Sequence, residues 1–96
     1  MTEDEKEVRN ASIDPERLLP GEDPSHSEPG DPEHWIEVYT QLLDTKHQLV
    51  SNLREMMERQ SDDVRAELER ADVNMLELQI QRFESRRELW RSKLSE

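Results

Sequence analysis

The chain has 96 residues, a formal net charge of −11, 39% charged and 31% hydrophobic residues, and no cysteine. That length allows one small domain, and the missing thiols exclude disulfides and thiolate metal sites. The negative balance counts against binding a phosphate backbone or an anionic lipid surface and favours partners with basic patches.

Residues 1–31 carry ten acids and three bases, a net of −7, while 32–96 carry fourteen acids and ten bases, a net of −4. The first segment also holds four of the five prolines and both glycines, and no aromatic residue. Such a composition buries too little apolar surface to offset its ordering entropy, so residues 1–30 are predicted to be a disordered, acidic, proline-containing tail. One island departs from this, "IDPERLLP" at 13–20. Asp14 can cap, Pro15 suits a first helical position, and Leu18 and Leu19 offer apolar contacts. The island reads as a short linear motif that folds on a partner, or as one frayed turn on a solvated tail. The opening "MTEDEKEVRN" lacks the basic and apolar parts of a signal peptide, and no apolar run approaches the roughly 20 residues of a membrane span. A soluble, cytoplasmic protein is expected.

"GDPEHW", residues 30–35, is a helix start signal. Asp31 can accept a backbone N–H as N-cap, Pro32 can follow at the first helical position, and Glu33 and Glu37 suit the positive end of the dipole. The first helix is predicted over about 32–59. Its apolar positions recur every seven residues: Trp35, Leu42, Leu49 and Met56 in one column, and Ile36, Leu43, Val50 and Met57 in the next, flanked by Tyr39 and Leu53. Together they span an arc of about 160°.

A turn is predicted at about 60–63, where Ser61, Asp62 or Asp63 can cap a second helix over about 63–94. Its main stripe is Leu68, Met75, Leu76, Ile80, Phe83, Trp90 and Leu94, with a flanking stripe of Val64, Ala71, Leu78 and Leu89. No glycine or proline separates the two helices, so one continuous helix is the alternative. Pairing favours a hairpin. Trp35 with Trp90, Leu42 with Phe83, Leu49 with Leu76 and Met57 with Leu68 all sum to 125, as an antiparallel pair about a fixed turn requires. Residues 31–96 are therefore predicted to form an antiparallel helical hairpin, and the fold class is all-α.

Two helices cannot cover two wide arcs by themselves. The flanking stripe of Val64, Ala71, Leu78 and Leu89, with Leu18 and Leu19 of the tail, supplies the candidate interaction residues, and either dimerisation into a four-helix bundle or docking on a protein partner is expected. Lys46 intrudes on the first arc opposite Gln79, either as a polar layer or as a side chain reaching water. Arg86 falls opposite Tyr39, a position suited to a cation–π contact.

Arg82, Arg86, Arg87, Arg91 and Lys93 form the one basic cluster. They suit the C-terminal end of a helix, pairing with Glu84 and Glu88 and lying near the acidic tail, more than a nucleic-acid surface. Asp44 and His47 share a helix face, but a metal site needs three or four converging ligands, so no metal or cofactor is predicted. There is no phosphate-cradling loop, cysteine nucleophile or convincing serine–histidine–acid set, and no catalytic residue is assigned. The functional expectation is a non-enzymatic protein–protein interaction module, an adaptor or regulatory subunit. The alternative is an acidic inhibitor or nucleic-acid mimic that occupies a basic groove.

Overall fold

The computed structural model of the chain describes residues 13–95. Helix α1 spans Asp31–Met57. The returning arm has three parts: α2, Asp62–Leu68, a π turn, Glu69–Val73, and α3, Asn74–Leu94. Among the described residues there is no strand. The two arms form an antiparallel hairpin, and the pairing rule holds at its open end. Trp35 stacks on Trp90 with ring centroids 6.3 Å apart, as the rule requires, while Tyr39 meets Phe83 at 5.8 Å, one turn away from its expected partner Arg86. Trp35, Tyr39, Leu43, Ile80, Phe83 and Trp90 make the core cluster, with Leu19, Ile36, Val38, Leu42 and Val50 packed around it.

The start of α1 differs in detail from expectation. Gly30 is the N-cap, at φ 92°, and Asp31 is already helical. Asp31 turns its carboxylate backward to accept the N–H of Glu28 at 2.9 Å, so it closes the preceding turn instead of capping the helix. The first helical bond runs from the His34 N–H to the Gly30 carbonyl. The positive φ suits glycine, which has no Cβ to clash there.

At the other end the α1 backbone tightens into i→i+3 bonds, Arg59 to Met56 and Gln60 to Met57. Ser61, in extended conformation, accepts the Val64 N–H on its hydroxyl and caps α2, with Asp62 and Asp63 in the first turn. The connection is thus 58–61, about two residues earlier than expected. Arg54 bridges the arms, pairing with Glu69 at 3.2 Å and Glu77 at 3.1 Å. Both pairs are exposed and contribute little to stability.

The π turn breaks the single regular helix expected over 63–94. Its wider i→i+5 turn accommodates an extra residue and re-phases the side chains. Val73, absent from both stripes read in the sequence, becomes fully buried. The seven-residue row Val64, Ala71, Leu78 no longer follows one face, because the π turn lies within it.

Residues 13–30 depart most from expectation. Expected as part of a disordered tail, they run along the hairpin as a strap. Asp14 opens a single turn, with its carboxylate accepting from Glu16 N–H and its carbonyl from Arg17 N–H. "LPGE", residues 19–22, then forms a β-turn closed by Glu22 N–H to the Leu19 carbonyl at 3.0 Å, with Gly21 at φ 84°. Proline at the second place and a positive-φ glycine at the third are the signature of a type II turn. A 3-10 turn at Pro24–His26, capped by Asp23, leads on to Gly30. Residues 1–12 of the predicted tail lie outside the described residues.

Candidate functional site: a buried carboxylate latch and an open groove

The type II turn aims Glu22 into the open end of the hairpin. The residue is only 5% exposed. One carboxylate oxygen accepts the Tyr39 hydroxyl at 2.6 Å and the Leu19 N–H at 2.9 Å. The other accepts Trp90 Nε1–H at 2.6 Å and an Arg86 guanidinium N–H at 3.1 Å. Tyr39 comes from α1, and Arg86 and Trp90 come from successive turns of α3, so the three side chains hold fixed positions around one point.

Burial alone would push the Glu22 carboxyl up, but the bonds from Tyr39, Leu19, Trp90 and Arg86 together outweigh it and hold the group below its usual range. Burial pushes the Tyr39 hydroxyl up, and its bond to the Glu22 anion and that anion's charge add to the effect. Tyr39 is therefore the proton donor in this contact and Glu22 the anion. Arg86, expected over the Tyr39 ring, does lie beside Tyr39, but its charge goes to Glu22. The cation–π contact falls instead to Arg82, 4.5 Å above the Phe83 ring.

This disposes of much of the basic cluster. Arg82 and Arg86 are buried, Arg87 reaches Thr40 at 3.4 Å, and Arg91 pairs with Glu88 at 3.5 Å. Burial lowers the Arg82 pKa first, and the charge of Arg17 on the strap lowers it further. Lys46 and Gln79, paired in the sequence, both border one concavity of about 210 Å³, with Arg82, Phe83 and strap residues Arg17 to Pro20.

The candidate interaction residues do not converge on one patch. Leu19 is half-buried against the core, and Leu18 is exposed. Leu78 is half-buried and shares a small cavity with Ile13 and Pro15, so the chain's own strap reaches it. Ala71 lies within the π turn and is half-buried, while Val64 and Leu89 are exposed on separate segments.

A different apolar surface lies nearer the turn. Leu49, Leu53, Met75 and Leu76, with Asp72 and Gln79, line a groove of about 400 Å³ between the arms. Leu49 is 44% exposed and Met56, two turns beyond it, 42%. No strap residue lines this groove. Leu49, Leu53, Met75 and Leu76 all belong to the stripes legible in the sequence, but their exposure depends on where the strap ends.

Among the described residues no group of three or more histidines or acids is placed to hold a metal ion, and no helix is long and apolar enough to cross a membrane. Compared with protein-family models, curated proteins and solved structures, the chain matches none.

Proposed function

We propose that the chain is a non-enzymatic protein–protein interaction module, an adaptor or regulatory subunit, that self-associates through the turn half of its hairpin. The observation that carries this reading is the division of the hairpin into two halves. The open end is closed by the strap, whereas among the described residues nothing covers the groove of Leu49, Leu53, Met75 and Leu76. Apolar side chains left in water there gain by burial, at about 25 cal/mol per Å². The occupant proposed is the same groove of a second copy, forming a four-helix bundle. Two such faces are alike in shape and apolar character, as a two-fold interface requires.

The acidic-mimic alternative draws less support, because the bases on the outer faces are interleaved with acids. Arg54, Arg65, Arg70 and Arg91 each pair with neighbouring carboxylates. Sedimentation velocity at several concentrations and two salt levels tests both readings. The interaction reading expects a dimer that persists at high salt and is lost in the Leu49→Glu, Leu53→Glu double variant with helicity kept. A wild-type chain that stays monomeric at all concentrations overturns it.

A further inference from the structure

The three side chains around Glu22 have a property beyond fixing the strap. Trp90 Nε1–H and the Arg86 guanidinium can only donate, and Tyr39, with its raised pKa, stays a donor over the ordinary pH range. All three belong to the hairpin and none to the strap. Their tips converge on two oxygens of one planar group. With the strap lifted, the hairpin would present a positively charged, donor-only pocket beside the apolar surface that Leu19 covers. The chemistry that fills such a pocket is a carboxylate presented three residues after an apolar side chain.

We propose that the Tyr39–Arg86–Trp90 pocket is a receptor for an acidic peptide segment of the form Leu-x-x-Glu on a protein partner, which the chain's own Leu19–Glu22 turn occupies in the free protein. The occupant shows what fits: a tight turn that brings the glutamate back under its own leucine N–H. At the pocket itself the strap's contacts come from Leu19 and Glu22. A tethered ligand on a short linker competes at an effective concentration in the millimolar range, so a partner must exceed that to enter. The pocket lies at the open end of the hairpin, apart from the groove near the turn. Failure of either proposal therefore leaves the other standing.

The test uses the full chain and a fluorescent peptide of residues 13–30. In the Glu22→Ala chain the internal ligand is disabled, and the peptide is expected to bind at least about tenfold more tightly than to wild type. A peptide with glutamine in place of its glutamate should lose at least about tenfold. A folded Glu22→Ala chain that binds no peptide, or that binds glutamate and glutamine peptides alike, overturns the proposal. Should that variant lose its helicity, the wild-type chain decides the matter. A spin-labelled peptide at about 5 mM, above the tethered concentration, should broaden the Trp90 indole N–H resonance, and its glutamine version should not. A Trp90 signal that neither peptide touches is the contrary result.

Discussion

Replacing Glu22 with glutamine keeps the shape of the side chain and removes its charge. Each carboxylate oxygen now accepts from two donors: Tyr39 and Leu19 on one, Trp90 and Arg86 on the other. An amide offers one oxygen and one NH₂. Whichever way it is turned, the NH₂ faces two donors, so two hydrogen bonds fail, and Arg86 loses its anion in a buried place. Breaking a buried ion pair on one side costs about 3–5 kcal/mol, much of it from the charge left behind. Small domains have about 5–15 kcal/mol in all, so the effect on the whole molecule should be large. Urea unfolding followed by circular dichroism and tryptophan fluorescence measures it. The Glu22→Gln chain should lose about 3–5 kcal/mol, and the Glu22→Gln, Arg86→Met double variant should recover part of it, because the orphaned charge is gone. A loss below about 1 kcal/mol in the single variant would refute the latch.

Titration should open the strap at both ends of the pH scale. Glu22 has a depressed folded pKa, so its contribution is present above the usual carboxylate range and is lost as pH falls through the folded value. Tyr39 has a raised folded pKa, so its contribution is whole below about 10 and is lost as pH rises through the folded value, which a pH series of urea midpoints can follow. Gly30→Ala should cost about 1 kcal/mol from backbone strain alone, since its φ is 92° and no atom lies within 4 Å of an added Cβ, and thermal melts against Gly30→Asn check it. Val73→Ala, at a fully buried position created by the π turn, should cost about 2 kcal/mol in the same melts, where a solvated α-helical position would lose almost nothing.

The hairpin was legible because its signal is periodic. Large residues at matching distances from a polar midpoint fix the register, and Trp35 on Trp90 realises it. The strap was not, because composition weighs apolar area and takes no account of one carboxylate with four donors. Its traces were present all the same. "PG" within "LLPGED" specifies a turn, and Arg86 lies in line with Phe83 and Trp90 on the core face of the returning arm. An arginine at such a position needs an acid, and the antiparallel fold brings that end of the arm next to the acidic segment. The expectation that this segment lies near the basic cluster was sound. The π turn left no readable mark, since Glu69–Val73 contains no residue that α-helix excludes. The stripe of Val64, Ala71, Leu78 and Leu89 was projected on a regular 3.6-residue turn, and one wider turn suffices to scatter it.

The Trp90 indole N–H tests the latch most directly. In the full chain at neutral pH it should exchange slowly with solvent and show a nuclear Overhauser contact to the Glu22 side-chain protons, because the two groups meet at 2.6 Å in a buried site. An indole N–H that exchanges as fast as a free one, with no contact to Glu22, would contradict the strap's placement and the receptor argued from it.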